Sequence, residues 1–230
     1  MSNYFIETQN VAAFRKSING LMSSDRLQPG FMVVEGESGR GKSMAAHNWH
    51  SIHGGVLFRV WEGLSQFAFL QELAFECTSF RPYGSGICKR TIIDRLIASP
   101  RPIIVDEADR LHLSRIEDLR DINEASGAPI ILIGEDGLMG KLNSKRRIYS
   151  RVAEVVNFEP VGAGDVIMYG AKMGEMTISP EAALELVKKS GGSFRMVHNH
   201  MLKVVEYGQA NKLKTIERKH IDDLKLRETR

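Results

Sequence analysis

Five short apolar runs punctuate the first two thirds of the chain: FMVVE at Phe31 to Glu35, GVLFRVW at Gly55 to Trp61, PIIVDE at Pro102 to Glu107, PIILIG at Pro129 to Gly134 and VAEVVNF at Val152 to Phe158. Each is the length of a strand, and helix-forming segments separate them. Continuous Val, Ile and Leu runs alternating with helices predict a parallel sheet of five buried strands, covered on both faces and joined by right-handed crossovers. The fold class is therefore α/β. From about Val161 to Gly164 the strand signals stop. SPEAALELVKKSGG then sets Ser179 as a helix cap, Pro180 at the first helical position and Gly191 as a stop. Two more helices fit SFRMVHNHMLKVVEYGQANK and ERKHIDDLKLRE, so the chain is expected to divide into an α/β domain over 1–165 and a helical lid over 166–230.

The first apolar run leads into Gly36-Glu37-Ser38-Gly39-Arg40-Gly41-Lys42-Ser43, followed by helix-forming Met44, Ala45 and Ala46. This is the G-x-x-x-x-G-K-[ST] pattern in the strand-to-helix context it requires. Its glycines let backbone N–H groups turn toward a β-phosphate, and the helix start adds a favourable field. Lys42 is placed to bridge β- and γ-phosphates, and the Ser43 hydroxyl to ligate Mg²⁺. The third run ends in Asp106, a carboxylate too costly to bury unless it faces a cation, which makes Asp106 the second Mg²⁺ residue. Glu107 follows as the candidate base for the water that attacks the γ-phosphate. The candidate nucleotide site is thus Gly36 through Met44 with Asp106. No Asn-Lys-x-Asp reads guanine, so ATP is expected. The string DEAD at Asp106 to Asp109 does not make a two-domain helicase of a chain with one sheet.

The 230 residues are 43% hydrophobic, enough for a sizeable core, and 31 basic against 28 acidic residues leave a net charge of +3. That balance permits nucleic-acid contact without requiring it. No leader pattern or membrane-length apolar stretch is present, so a cytoplasmic location and no membrane partner are expected. Cys77 and Cys88 read as buried free thiols. His47, His50 and His53 step around a helix without a carboxylate and read as surface residues rather than metal ligands. Charge clusters in one place: Lys141, Lys145, Arg146, Arg147 and Arg151 precede the fifth run. There Arg147 and Arg151, with Arg146 behind them, are candidates to reach the γ-phosphate of a neighbouring subunit. The alternative is a solvated basic helix. Arg195, at a helix start after a glycine pair, is positioned to fold over the phosphates.

This order of phosphate loop, Asp-Glu strand, arginine-rich segment and Gly-Ser-x-Arg in a helical lid resembles the AAA+ ATPases, their initiator-like branch in particular. IETQNVAAFRKSINGL, ILIGEDGLMGKL and IYSRVAEVVNFEPV resemble, more narrowly, the DNA-transposition ATPases of the Mu phage protein B type. The resemblance implies an ATPase that binds double-stranded DNA without strong sequence preference, forms a homo-oligomer, ring or helical filament, on it with ATP, and presents it as target to a transposase. It assigns Lys42 and Ser43 to the phosphate loop, Asp106 and Glu107 to the metal and base, and Arg195 to the lid. A replication initiator or helicase loader would share these motifs, and a nucleotide-gated scaffold would need little turnover.

Two features depart from the family. Glu135 stands where relatives carry Asn, Thr or Ser to orient the attacking water, which implies slow or differently arranged hydrolysis. The loop starts only 35 residues in, so DNA affinity is expected from the ATPase domain itself. Arg81, Lys89 and Arg90, around the Gly-rich turn between the second and third runs, are the candidate DNA contacts.

Overall fold

The computed structural model describes residues 5–23, 30–174 and 176–228. Strands form where the apolar runs predict them: β1 Phe31–Glu35, β2 Val56–Arg59, β3 Ile103–Asp106, β4 Ile130–Ile133 and β5 Val152–Asn157. The helices are α1 Gln9–Ser23, α2 Lys42–His53, α3 Gln66–Thr78, α4 Ser85–Ala98, α5 Leu113–Ser126, α6 Leu138–Asn143, α7 Arg146–Tyr149, α8 Ala163–Gly174, α9 Pro180–Ser190, α10 Phe194–Ala210 and α11 Arg218–Asp223. By its contacts the described chain separates into two compact units. One holds Ala12–Gly36 and Lys42–Asn157; the other holds Met1–Val11, Glu37–Gly41 and Phe158–Arg230.

The first unit is a five-stranded parallel sheet in the order β2-β3-β4-β1-β5. β1, β3 and β4 sit inside it, and alternate side chains from both of their faces are buried: Phe31, Val33, Ile103, Val105, Ile130 and Leu132 on one, Met32, Val34, Ile104, Ile131 and Ile133 on the other. Their unbroken apolar runs follow from that. The expectation of five buried strands holds for these three and fails at the edges. β2 alternates in burial, and in β5 only Val156 is fully buried. β5 borders β1 alone and shifts register between Phe31 and Met32, where the partners jump from Val152 to Glu154. An edge strand has one neighbour to pack against, and its branched Val152 and Val155 serve β geometry rather than the core.

The second unit packs α8, α9, α10 and α11 around Val166, Tyr169, Leu186, Val197, Met201, Val204 and Ile221. Ser179 caps α9 through the Ala182 N–H, Pro180 opens it, and Gly191 closes it with φ 58, as the sequence pattern dictates. Two parallel two-residue strands, β6 Thr177–Ile178 and β7 Thr215–Ile216, join this unit. They are too short for any periodicity to announce.

His200 lies inside α10 with 2% exposure. Its Nε2 is 2.9 Å from the Arg227 carbonyl, which can only accept, so the neutral ring carries its proton there. Nδ1 is buried with no hydrogen-bond partner among the described residues. Burial pushes the His200 pKa below the ordinary value, Lys203 and Lys189 push the same way, and only the Arg227 carbonyl opposes them. The unfolded chain therefore binds the proton more readily than the folded one. The resulting stability is fully present above the unfolded value of about 6.5 and declines as pH falls below it. Urea unfolding of the helical unit's signal is expected to show a lower midpoint at pH 5 than at pH 7.5. In His200→Gln, which keeps a donor for Arg227 and cannot take up the proton, that difference shrinks.

Candidate functional site

β1 ends at Glu35, the chain turns at Gly36 (φ 147), and α2 begins at Lys42. Gly39 and Gly41 have φ of 82 and 99, a region in which a side chain is strained. Lys42 is 8% exposed, and its ammonium donates to the Gly36 carbonyl. Burial lowers its pKa, against the opposing charges of Glu135, Asp136, Asp106 and Asp109. A cation held among carboxylates yet short of water is set up to accept further negative charge.

Ser43 and Asp106 meet as expected: the Ser43 hydroxyl donates to Asp106 Oδ1 at 3.0 Å. The same oxygen accepts the Glu107 N–H at 3.1 Å. Asp106 is 3% exposed, and its Oδ2 is buried without a hydrogen-bond partner among the described residues. An orphaned carboxylate oxygen beside a hydroxyl is a pair of hard oxygen donors, and that suits Mg²⁺, which prefers such ligands and keeps its other positions for water and phosphate.

Glu107 adopts a left-handed conformation, φ 60 and ψ 36, which costs a non-glycine residue about 1–2 kcal/mol. The turn sends the carboxylate sideways between two guanidinium groups: Oε1 lies 3.2 Å from Arg59 and Oε2 lies 3.2 Å from Arg110. Neither arginine was indicated by the sequence. Arg110 stands three residues beyond Glu107, and Arg59 interrupts an apolar run, but only the pairing of Arg59 with Asp106 across β2 and β3 reveals that the two elements converge.

The remaining residues of this unit fall into place around that pair. Glu135 is exposed, and its N–H is held by Asp109 Oδ1 at 3.1 Å. Lys141 is committed to the carbonyls of Asp109 and Leu111 at 2.6 Å each, so it closes the 3₁₀ turn at Ala108–Arg110. Arg151 is paired with Glu124 at 2.5 Å. Arg146 and Arg147 are exposed on α7 with no acidic partner among the described residues.

The three candidate DNA residues part company. Arg81 is bidentate to Glu72, at 3.2 and 2.8 Å, and lies 3.7 Å over the Phe75 ring. Lys89 bridges Asp118 at 2.6 Å and Asp121 at 2.8 Å. Burial lowers the Lys89 pKa, but the bonds to those carboxylates outweigh it and leave the value raised. Both charges are spent locally. Arg90 is exposed with no acidic partner among the described residues, on the same helix as exposed Ile87 and near Tyr83, which is 84% exposed. His47, His50 and His53 belong to no metal-binding cluster among the described residues, and His53 stacks on Trp49. Cys77 and Cys88 are buried free thiols, and burial raises the Cys77 pKa to about 11. No helix among the described residues is long and apolar enough to cross a membrane.

In the helical unit, the Arg195 N–H donates to the Gly39 carbonyl at 3.1 Å, and its guanidinium stands 3.5 Å from Ser38 Oγ. Arg40 behaves differently from its loop neighbours: it is 8% exposed and donates to the Gly191 carbonyl at 2.9 Å and to Glu37.

A family model described as an AAA domain matches residues 25–142, half of the chain. The Mu-like prophage FluMu DNA transposition protein B of Haemophilus influenzae is 27% identical over 206 residues, 84% of this chain and 70% of that protein. The ATP-dependent target DNA activator B of Escherichia phage Mu is 28% identical over 212 residues, 87% of this chain and 65% of that protein. Among solved structures, Cdc6p from Pyrobaculum aerophilum superposes with a TM-score of 0.70 at 13% identity, covering 97% of this chain and 68% of that one. The RuvB Holliday junction branch migration motor of Thermotoga maritima gives 0.60 at 19% identity, covering 96% and 69%. These two establish likeness of fold. With the AAA domain model matching half its length, the chain belongs to the AAA family and is similar over most of its sequence to the B proteins of phage Mu and of the Mu-like prophage FluMu.

Proposed function

We propose that the protein is an ATP-dependent, largely sequence-nonspecific double-stranded DNA-binding ATPase that assembles on DNA and presents it to a transposase. The observation that carries the nucleotide half is the buried Ser43–Asp106 pair with its orphaned oxygen directly below the phosphate loop's helix start. Mg²⁺ supplies neutralisation of the phosphate oxygens when bound. The chain's own residues do the rest: Lys42 leaves the Gly36 carbonyl for the phosphates, Ser43 and Asp106 hold the cation, and Glu107 accepts the proton of the attacking water. Arg195 adds charge next to loop residues Ser38 and Gly39. Arg147, which has no carboxylate partner among the described residues, is the better candidate than Arg151 to act on a neighbouring subunit's nucleotide.

The name of the Mu phage relative, a target DNA activator that is ATP-dependent, supports the DNA half, and Arg90 is the side chain best placed to serve it. Arg81 and Lys89 would have to give up Glu72, Asp118 and Asp121 to reach a phosphate, so Arg81 supports the shape of the α3–α4 turn and Lys89 ties α4 to α5 instead. The clamp on Glu107 also favours slow basal turnover, because the carboxylate has to leave Arg59 or Arg110 before it can reach a water.

Two results follow. Glu107→Gln is expected to keep ATP affinity and lose turnover by about a hundredfold or more, whereas Arg59→Ala raises basal turnover by freeing the base; steady-state phosphate release measures both. In filter binding to nonspecific duplex across a salt series, wild type is expected to bind cooperatively with ATP and weakly with ADP. Arg90→Ala lowers the salt slope by about one per site, while Lys89→Ala leaves it unchanged. DNA binding indifferent to nucleotide would overturn the proposal.

A further inference from the structure

Arg40 occupies the middle of the phosphate loop, and the motif leaves its identity open. A residue there is expected to face solvent or nucleotide. Instead its side chain is 7% exposed and turned away from the loop's interior toward the end of α9. One guanidinium nitrogen donates to the Gly191 carbonyl at 2.9 Å while another pairs with Glu37. Gly191 is the left-handed residue that terminates α9, so the guanidinium also sits at the negative end of that helix.

The next residue is shaped to admit it. At Gly192, φ 67, a Cβ would fall 2.7 Å from Arg40 Nη1 and 2.6 Å from the Pro160 Cβ. A second bond runs in parallel, from the Arg195 N–H to the Gly39 carbonyl at 3.1 Å. Gly39 in turn leaves no room for a Cβ, which would fall 2.5 Å from Ser193 Oγ, the cap of α10. Loop residues 39–40 and turn residues 191–195 are thus stapled at two points, with Arg195 at the far end of the turn.

We propose that Arg40 is a positioning residue, a latch that fixes the Gly191–Arg195 turn to the phosphate loop so that a change in the loop's conformation moves the turn and Arg195 with it. Arginine suits the task because its planar fork donates to Gly191 and Glu37 at once, which a lysine ammonium cannot reproduce in the same geometry. The latch itself is independent of ligand; its role as a reporter of nucleotide rests on the proposed ATP site.

Hydrogen exchange on the full chain, read by mass spectrometry over peptides spanning 191–197 and over β1 as an internal control, tests both parts. Without nucleotide, Arg40→Lys and Arg40→Gln are expected to speed exchange in 191–197 by roughly tenfold, with β1 unaltered. Exchange equal to wild type in both variants would overturn the latch whether or not ATP binds. With ATP added, wild type gains protection over 191–197, and the variants bind the fluorescent analogue mant-ATP within about threefold of wild type yet lose that gain. A loss of mant-ATP affinity of about a hundredfold, with the protection of 191–197 intact, would instead make Arg40 a direct phosphate ligand and overturn the proposal. Failure of wild type itself to bind mant-ATP would sink the ATP site while leaving the nucleotide-free comparison to decide the latch.

Discussion

A carboxylate at the end of a fully buried strand is the constraint around which the candidate site of the sheet unit is arranged. Asp106 closes β3, a strand buried along its whole length, and one of its oxygens is satisfied by Ser43 and by the Glu107 amide while the other has no partner among the described residues. Leaving a buried polar atom unpaired costs on the order of 1–3 kcal/mol, and more for a charge. Selection for stability alone would have replaced it with an apolar residue. Its position, one hydrogen bond from the first turn of the phosphate-loop helix, gives the expense a purpose under the proposed function: a cation and a polyphosphate would complete what the protein leaves incomplete.

The neighbouring residue carries the opposite arrangement. Glu107 has more partners than a working base needs, held by Arg59 and Arg110 in a backbone conformation that itself costs energy. Under the proposed function, Asp106 is left to gain a ligand and Glu107 is held back from acting on one. Adjacent acidic residues in one sequence string therefore take contrasting roles through local geometry. In the helical unit, Arg40 and Arg195 tie loop residues to the turn between α9 and α10, so the segment expected to touch phosphates also reaches the helical packing.

Much of this was legible in the sequence. Apolar runs marked all five strands because a parallel sheet buries its inner strands on both faces, and Ser179, Pro180 and Gly191 marked α9 because each satisfies a specific backbone need. The meeting of Ser43 with Asp106 followed from motif logic. Other features escaped for physical reasons. β5 reads like a core strand but lies at the edge, since side-chain branching reports β geometry and not burial. Arg59, Arg81 and Lys89 show why charge in a sequence is ambiguous: Arg59 and Lys89 have found carboxylates distant in the chain, and Arg81 one across the turn after α3, pairings set by how the elements pack. Arg40 lay inside a recognised motif, which concealed that its side chain leaves the loop.

The central claim is that Asp106 and Ser43 form a cation site that gives the loop its hold on a triphosphate. Calorimetric titration of ATP into the protein with and without Mg²⁺, for wild type and for Asp106→Asn, tests it most directly. The account predicts that Mg²⁺ tightens ATP binding to wild type by about tenfold or more, and that this enhancement disappears in Asp106→Asn. An equal Mg²⁺ effect in both proteins would contradict it, because the buried oxygen would then have been left unpaired for some other reason.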